Sequence, residues 1–338
     1  MVKVAVLGYG TVGSGVVQVL SDNADVIEKR VGEPIEVKYI LDLRDFPGDK
    51  NEDKIVHDYN VILEDDEISI VCETMGGTNP AYTFSMDALS KGKSVCSSNK
   101  ELVEKYGPVL LKTAKENNCN YLFEASVGGG IPIIRPMNTS LASDKLERIM
   151  GILNGTTNFI LTKMDREGVS YEEVLKEAQE LGYAEKNPEA DVEGHDAGRK
   201  IAILSSLMTG KTVSFSDVYT EGITKIDTRD FTYAKKYGRS IKLIAMAETS
   251  WEEESCVNAM VAPFMIGAEH ALSGVNGVFN GVFVTGNMLG DAMFYGQGAG
   301  KLATASAVVS DVIEMARNKD KTLPCVWAEE KAKVGDHR

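Results

Sequence analysis

A glycine-rich turn near the start of the chain constrains the fold more than any other feature. Gly8, Gly10 and Gly13 follow the spacing G-x-G-x-x-G, after an apolar run over residues 2–7 and before residues 11–20, whose apolar positions have helical spacing. Such glycines permit a tight bend, a close approach of pyrophosphate to the backbone, and close packing of strand and helix. The motif predicts a dinucleotide site, and a plain tight turn is the alternative. The expected cofactor contacts are Gly8, Tyr9, Gly10, Thr11, Val12 and Gly13.

Short apolar runs alternate with helical stretches over the first 134 residues. Further strands are expected at residues 35–41, 68–72, 94–96 and 120–123, and helices at residues 81–91 and 106–117. Because crossover helices cover both faces of a parallel sheet, this alternation favours an α/β fold with a Rossmann-type, doubly wound parallel sheet. The dinucleotide-binding domain is predicted to comprise residues 1–134 together with about residues 301–320, where a last helix is expected at 303–317.

A different pattern of elements begins at about Pro136. Residues 170–173 form the capping-box sequence SYEE, and the run GHDAGRKIAILSSLM predicts a helix that Gly210 ends. Strand-like runs follow at 240–248, 256–266 and 281–286. These features predict a second, α+β domain over residues 135–300, which would bind the substrate and contain a mixed sheet.

Composition argues against several classes of function. The 36 basic and 50 acidic side chains give a formal charge of −14, which disfavours binding to nucleic acid or to anionic lipid. No apolar run approaches the roughly 18 residues that a membrane helix needs. Met1 leads directly into the first strand, without room for a signal peptide, so a cytoplasmic protein is expected. The five cysteines are scattered, which predicts reduced and mostly buried thiols.

The end of the second predicted strand carries two charges that bear on the choice of cofactor. An acid at this place binds the ribose 2′-hydroxyl of NAD, whereas an arginine accommodates the 2′-phosphate of NADP. Asp42 would favour NAD if it ends the strand, and Arg44 would favour NADP if the loop turns one step later. Both are expected to contact the cofactor, with solvated loop charges as the alternative. The sequence leaves the choice between NADP and NAD open.

Several segments together resemble the homoserine dehydrogenases, over about residues 1–317. The segments are CETMGGTNPA (72–81), SSNKELV (97–103), FEASVGGGIPII (123–134), GILNGTTNFIL (151–161), GYAEKNPEADVEGHDAGRK (182–200) and GQGAGKLATASAVVSD (296–311). The chain departs from the family at Ala303, where proline is common, and at Ser97 and Ser98, where a threonine–alanine pair is common. Neither change removes a group that the chemistry needs.

The resemblance implies an enzyme that reversibly reduces L-aspartate 4-semialdehyde to L-homoserine with NADPH or NADH, in threonine, methionine and isoleucine biosynthesis. Lys200 and Asp196 match the family's catalytic lysine and aspartate, and Lys100 matches a second lysine near the nicotinamide and substrate. An ammonium near the developing alkoxide can stabilise its charge and donate a proton. By spacing alone, Asp196 and Lys200 would be an exposed ion pair on one helix, and Lys100 a surface lysine.

The substrate is a zwitterion, so its ammonium needs carboxylates and its carboxylate needs donors. Glu185 matches the residue that binds the amino group, and Asp191 is a supporting candidate; without the resemblance, both would lie in a solvated acidic loop. Asn154 opens a helix whose N–H groups could meet the substrate carboxylate, and a structural N-cap is an equal alternative. Gly300 is expected to place backbone against the cofactor, and Thr304 to cap the closing helix.

The resemblance also implies a monovalent cation and an oligomer. Oxygen ligands suit a hard cation such as sodium or potassium, and a flexible glycine connection is the alternative. A homodimer or higher homo-oligomer is expected through the sheet of the second domain. The chain looks like a short form, without an ACT regulatory domain or a fused aspartate kinase. The cation ligands expected from the family are Glu124, Val127, Gly129 and Ile131.

Three rival functions fit parts of the sequence. A related semialdehyde or imine reductase would share the glycine-rich turn but need not have GYAE followed by DAGRK. A nonenzymatic dinucleotide-binding sensor would keep the fold and lose the chemistry. The presence of Lys100, Glu185, Asp196 and Lys200 together argues against the sensor. A purely structural partner would bind no cofactor.

Overall fold

The chain forms two units, each with its own six-stranded sheet. The computed structural model describes residues 1–251 and 256–335. The helices, in chain order, are α1 (Thr11–Asp22), α2 (Ala24–Val31), α3 (Asn60–Leu63), α4 (Ala81–Ser90), α5 (Lys100–Glu116), α6 (Ile134–Asn138), α7 (Gly155–Glu167), α8 (Tyr171–Glu180), α9 (Glu189–Val192), α10 (His195–Thr209), α11 (Thr228–Lys236) and α12 (Lys301–Arg317). The strands are β1 (Val2–Leu7), β2 (Ile35–Leu41), β3 (Ile55–Val56), β4 (Ile68–Glu73), β5 (Ser94–Ser97), β6 (Tyr121–Leu122), β7 (Leu146–Ile152), β8 (Lys211–Thr212), β9 (Tyr219–Thr220), β10 (Arg239–Ser250), β11 (Cys256–Gly267), β12 (Phe279–Gly286), β13 (Gly290–Gln297) and β14 (Ala328–Lys331).

Unit 1 comprises Met1–Gly130 and Ala299–Cys325 and contains a parallel sheet. Its strand order is β3-β2-β1-β4-β5-β6, and every neighbouring pair is parallel. This is the order of dinucleotide-binding folds, in which a ligand lies at the carboxyl ends of the strands where the order reverses, here beside β1 and β4. The predicted Rossmann-type sheet is confirmed.

The core of unit 1 lies between this sheet and two helices that pack on one another, α1 and α12. Val4 and Val6 of β1 are fully buried, as is Val16 of α1. Burial of an aliphatic side chain of this size contributes about 1.5–3 kcal/mol. A Cβ atom added to Gly15 would lie 2.9 Å from the Cβ of Ala305, so the two helices approach closely at this point. Helix α1, which directly follows the glycine-rich turn, is therefore held in place by its packing against α12.

Unit 2 comprises Ile131–Gly298 and the residues from Val326 onward, and its main sheet is mixed. The order is β13-β12-β7-β10-β11-β9, with antiparallel pairs except for the parallel pair of β9 and β11. Helices α7, α10 and α11 contact the long strand β10. The predicted mixed α+β unit is confirmed. Its assignment to the substrate and to dimerisation stays a prediction.

Some element boundaries differ from those that the sequence predicts. Helix α5 begins at Lys100 and not at residue 106, because Asn99 accepts the N–H of Leu102 and caps an earlier turn. Strand β13 was not predicted, since its residues include glycines and an aspartate that are rare in strands. It pairs with β12 after the three-residue turn 287–289 and begins at Gly290, whose φ is 76°. The capping box at Ser170 is present as predicted.

The described part of the chain contains no helix long and apolar enough to cross a membrane. All five cysteines are described, and all are free thiols. Cys72, Cys96 and Cys119 are buried, whereas Cys256 and Cys325 are partly exposed. The prediction that most of the thiols are buried is confirmed, and their reduced state stays a prediction.

Candidate functional site

The glycine-rich turn after β1 is held in shape by its own close packing and by the neighbouring strand. A Cβ atom on Gly13 would lie 1.8 Å from the carbonyl oxygen of Gly8, so only glycine fits there. The hydroxyl of Thr74, directly after β4, donates to the carbonyls of Leu7 at 2.9 Å and Gly8 at 3.0 Å. A Cβ on Gly10 would meet no described atom within 4 Å, and the first turn of α1 has no acidic residue. The turn can therefore receive an anionic pyrophosphate.

Asp42 directly follows β2, so the acid does close the second strand. Its Oδ2 accepts the N–H of Tyr9 at 2.8 Å, and its two oxygens accept Nε and Nη2 of Arg44, each at 2.9 Å. The Arg44 guanidinium holds the pKa of the Asp42 carboxyl well below its usual range. Arg44 itself is 63% exposed and lies over the ring of Phe46 at 5.1 Å. The aspartate is thus already bonded, while the guanidinium is accessible.

A pocket of about 420 Å³ in unit 1 lies beside this pair. The rings of Tyr59 and Phe84 stack there with centroids 4.0 Å apart, and the Tyr59 hydroxyl donates to the Phe84 carbonyl at 2.6 Å. A mostly apolar pocket with one charged corner suits an adenosine group. The sequence does not predict this stacked pair as a side of the pocket, because its residues come from separate segments without a recurrent motif. The lining residues are Gly8, Leu41, Asp42, Leu43, Arg44, His57, Tyr59, Met75, Pro80 and Phe84.

Lys100 is the first residue of α5, and its position is set by the turn before it. Asn99 caps the helix and also donates from its amide to the carbonyl of Gly77 at 2.6 Å. The hydroxyl oxygen of Ser97 accepts the N–H of Asn99 at 3.0 Å. The turn that follows β5 is therefore joined to the turn that follows β4, and Lys100 stands directly beyond this junction.

Glu73 ends β4 and is fully buried beneath the same two turns. It accepts the N–H of Met75 at 2.8 Å and the hydroxyl hydrogen of Ser97 at 2.5 Å. Burial raises the pKa of Glu73 to about 7, against the opposing effect of hydrogen bonds from Ser97, Met75 and Asn99. This environment could not be predicted, because the expected strand ends at residue 72 and a glutamate directly after a strand is usually solvated.

Asp196 and Lys200 form a buried pair on α10 of unit 2. The ammonium of Lys200 donates to Oδ2 of Asp196 at 2.7 Å and to the carbonyl oxygen of Leu153 at 2.8 Å. The side chains are 8% and 12% exposed respectively, so this is not the exposed surface pair that spacing alone would suggest. Charged hydrogen bonds in such a site are stronger than the same bonds in water. The arrangement holds one proton donor at a fixed position.

Asn154 joins this pair to a second carboxylate. Its amide nitrogen donates to Oδ1 of Asp191 at 2.7 Å and to Oδ2 of Asp196 at 2.9 Å. Its oxygen accepts the N–H of Thr157 at 2.9 Å, so Asn154 is also the N-cap of α7. Asp191, Asp196 and Lys200, three of the predicted site residues, are thereby brought together. The bridge itself was missed, because its partners lie 37 and 42 residues away in the sequence.

Other predicted residues lie outside this network. Glu185 is exposed, and its described hydrogen bond is made by its carbonyl oxygen, which accepts Nε2 of Gln179 at 3.1 Å. Gly300, in unit 1, occupies the N-cap position of α12 with a φ of 121°. The prediction that Thr304 caps this helix is wrong, since α12 begins at Lys301 and Thr304 lies within its first turn.

The turn over residues 124–131 has the backbone shape expected of a site built from carbonyl oxygens. Glu124 and Val127 are buried, and φ is 75° at Gly128 and 57° at Gly129. Positive φ at successive glycines turns backbone groups in directions that other residues rarely allow. Over residues 1–251 and 256–335, no three His, Cys, Asp or Glu side chains are grouped to hold a metal ion. The expected ligand set of Glu124, Val127, Gly129 and Ile131 contains a single carboxylate, so it does not require such a group.

Two family models match the chain. The model described as the NAD binding domain of homoserine dehydrogenase matches residues 8–124, and the model described as homoserine dehydrogenase matches residues 132–313. The first match contains the glycine-rich turn, Asp42 and Lys100. The second contains the cluster of Asn154, Asp191, Asp196 and Lys200. Both matches agree with the division into a nucleotide-binding fold and a second unit.

Relatives and solved structures agree with these matches. The chain is 43% identical over 321 residues to the homoserine dehydrogenase of Bacillus subtilis, which covers 94% of this chain and 73% of the relative. It matches a homoserine dehydrogenase structure from Thiobacillus denitrificans with a TM-score of 0.88 and 39% identity, over 94% of this chain and 73% of that one. A hyperthermophilic archaeal homoserine dehydrogenase in complex with NADPH matches with a TM-score of 0.80 and 26% identity, over 96% and 99% of the two chains. The chain belongs to the homoserine dehydrogenase family, oxidoreductases that interconvert L-aspartate 4-semialdehyde and L-homoserine with a nicotinamide dinucleotide.

Proposed function

We propose that Lys200 is the acid and base of the reaction and that Asp196 orients it. A bound reduced nicotinamide supplies a hydride to the aldehyde carbon, so the developing alkoxide needs a proton. Of the three N–H groups of the Lys200 ammonium, one donates to Asp196 and one to Leu153. The third can donate to the substrate oxygen, and in the reverse direction neutral Lys200 accepts the hydroxyl proton of homoserine. The observation that carries this proposal is the buried, doubly anchored ammonium.

Two acidic residues, Asp191 and Glu185, are the candidates to hold the substrate's ammonium group. Asp191 lies in the same network, since Asn154 donates both to it and to Asp196. Glu185 is exposed and so is accessible to a ligand. We assign both residues to substrate binding, as the resemblance implies. Lys100 is assigned to the reaction as a second lysine that contacts the nicotinamide and the substrate.

Among nicotinamide cofactors, the environment of Arg44 favours NADP(H). Both oxygens of Asp42 already accept hydrogen bonds from Arg44, and Oδ2 also accepts the N–H of Tyr9. Asp42 therefore has little capacity left to accept ribose hydroxyls, whereas the exposed guanidinium of Arg44 can bind a 2′-phosphate. The archaeal relative whose structure contains NADPH supports this assignment. The backbone from Gly8 to Gly13 and at Gly300 would contact the remainder of the dinucleotide.

A monovalent cation, sodium or potassium, is proposed at the turn over residues 124–131. The support is the buried backbone of Glu124 and Val127 and the positive φ at Gly129, together with the family's ligand pattern. The carbonyl oxygens of Glu124, Val127, Gly129 and Ile131 would be the ligands. The initial rate should be higher in sodium or potassium chloride than in choline chloride at equal ionic strength. Equal rates in all three salts would contradict the proposal.

A homodimer through the sheet of unit 2 is proposed from a row of apolar side chains across five strands. Met246 lies opposite Met260 and Met150, and Phe283 lies opposite Met150 and Met293, so all five share one face of the sheet. Met150 is 8% exposed and the other four are partly buried. Methionine side chains adapt well to a partner surface, and a second copy would present the same row. Light scattering at the monomer mass of 36.7 kDa would contradict the dimer.

The proposed role of Lys200 is tested by steady-state reduction of aspartate 4-semialdehyde, followed through the absorbance of NADPH. We expect Lys200→Ala to lower kcat by roughly 10²–10⁴-fold, the usual range for a lost general acid. Lys176→Ala, which removes an exposed lysine of unit 2, is the control and should keep native activity. Native kcat in Lys200→Ala would remove this residue from the mechanism.

A further inference from the structure

A buried glutamate lies where three turns meet at the carboxyl edge of the parallel sheet. Thr74 ties the turn after β4 to the glycine-rich turn through its bond to the Gly8 carbonyl. The neighbouring Glu73 ties the turn after β4 to the turn after β5, through Met75 and Ser97. In a parallel sheet this edge is where a dinucleotide lies. Two consecutive residues, the last of β4 and the one directly after it, therefore connect all three turns.

The bonds of Glu73 continue directly to the start of α5. The Ser97 hydroxyl donates to Glu73 and accepts the N–H of Asn99, which is the N-cap of the helix that Lys100 begins. The backbone N–H of Ser98 also donates to the carbonyl of Glu73 at 3.2 Å. The Ser97 hydroxyl is therefore the link between Glu73 and the turn that begins the helix of Lys100.

We propose that Glu73 is a positioning residue of the reaction, which sets the geometry of the Lys100 turn by accepting hydrogen bonds from both Ser97 and Met75. An ionised carboxylate is an acceptor only, so it keeps the Ser97 hydroxyl donating toward β4. A protonated carboxyl has a hydrogen of its own and competes for the Ser97 oxygen, which already accepts from Asn99. The inference rests on the proposed role of Lys100.

Glu73 is expected to change its ionisation state near neutral pH, where the activity of the enzyme can be measured. Burial raises its pKa to about 7, and the titratable side chains that face it are Tyr121 on β6 and Cys96 on β5. The pKa values of Tyr121 and Cys96 are themselves raised well above their ordinary values, so both stay neutral near pH 7. The buried Asp311 also acts on the pKa of Cys96, so the Glu73→Gln variant is needed to assign a change of charge in this cluster to Glu73. We expect kcat/KM to fall as pH decreases through about 7, as Glu73 becomes protonated.

The test compares pH profiles of kcat/KM for aspartate 4-semialdehyde in the native chain and in two variants. Glu73→Gln keeps the shape and cannot ionise, so we expect kcat/KM at pH 8 to be roughly tenfold lower and the step near pH 7 to be absent. Ser97→Ala removes a hydrogen bond that lowers the pKa of Glu73, so its step should move to higher pH. Glu116→Gln, exposed at the far end of α5, should keep the native profile.

Folding is followed separately by thermal unfolding between pH 5 and 8. Because the pKa of Glu73 is raised on folding, its contribution to the free energy of unfolding is full below about 4.5 and is lost as pH rises to about 7. Glu73→Gln should keep a cooperative thermal transition, which shows that the variant is folded, and should lose this part of the pH dependence. A native step near pH 7 that persists in Glu73→Gln, or stays in place in Ser97→Ala, would overturn the inference. Native activity in Lys100→Met would instead refute the proposed role of Lys100.

Discussion

Two aspartates in this chain each hold a basic side chain, and the two pairs differ in almost every other respect. Asp42 and Arg44 follow a strand of unit 1, and the arginine is 63% exposed. Asp196 and Lys200 lie one turn apart on a helix of unit 2, with side chains only 8% and 12% exposed. Exposed charges are screened by salt and held loosely, whereas buried ones are held in place by their hydrogen bonds. An exposed pair suits the capture of a charged group from solvent, and a buried pair suits proton transfer.

The two aspartates also differ in the groups that donate hydrogen bonds to them. Asp42 uses its oxygens to hold Arg44 and the backbone of Tyr9. Asp196 is shared between Lys200 and Asn154, so loss of its charge would disturb two donors at once. A change at the first pair should alter which cofactor binds. A change at the second should alter the rate of the chemical step.

A large loss of rate is expected from removing the charge of the buried aspartate. Asp196→Asn preserves size but leaves the Lys200 ammonium without its anionic partner, so we expect kcat to fall roughly 100-fold with little change in the KM for NADPH. Steady-state kinetics with both substrates varied would measure the two constants. Glu180→Gln, at the exposed end of α8, is the control. A rise in KM for NADPH without loss of kcat would break the proposed division of roles.

A smaller effect is expected from the exposed arginine. Arg44→Ala should raise the KM for NADPH roughly tenfold and leave the KM for NADH nearly unchanged, because NADH lacks the 2′-phosphate. Arg30→Ala, which removes an exposed arginine of α2, should change neither constant. If Arg44→Ala weakens NADH and NADPH equally, the guanidinium does not distinguish the two cofactors.

The smallest effect is expected from salt. A rise in ionic strength from about 0.05 to about 0.5 M shortens the screening length severalfold, so the KM for NADPH should rise about two- to threefold. The value of kcat should stay constant, since Asp196 and Lys200 are buried. Potassium chloride should be used throughout, so that a cation requirement is met at every point. If kcat instead falls with salt while the KM for NADPH stays constant, the exposed pair does not act in cofactor binding as proposed.

Much of unit 1 could be predicted because its signals are continuous in the sequence. The turn from Gly8 to Gly13 directly follows a strand and precedes a helix, and Asp42 lies where the next strand ends. The partners that complete the site could not be predicted in this way. Tyr59 and Phe84 form one wall of the adenosine pocket from positions 25 residues apart, and neither has a motif of its own. Local periodicity carries no information about such pairs.

In unit 2, too, some features could be predicted from the sequence and others could not. The i, i+4 spacing of Asp196 and Lys200 predicts that their side chains are in contact, but only the family resemblance implies a catalytic role for them. The bridge from Asn154 to Asp191 and Asp196 depends on how the start of α7 lies against α9 and α10, which no one segment specifies alone. The raised pKa of Glu73 likewise arises from complete burial, and a glutamate at a strand end gives no sign of it. Sequence thus predicts local elements, and tertiary packing determines the chemistry of individual groups.

The role of Lys200 as the acid of the reaction is tested most directly by separating cofactor binding from chemistry in one variant. Stopped-flow measurement of a single turnover with Lys200→Ala, together with fluorescence titration of NADPH binding, would give the rate of hydride transfer and the Kd for the cofactor. We expect the Kd for NADPH to stay within about twofold of native while the rate of hydride transfer falls by roughly 10³-fold. A native rate of hydride transfer, or a rate loss explained entirely by weaker NADPH binding, would contradict it.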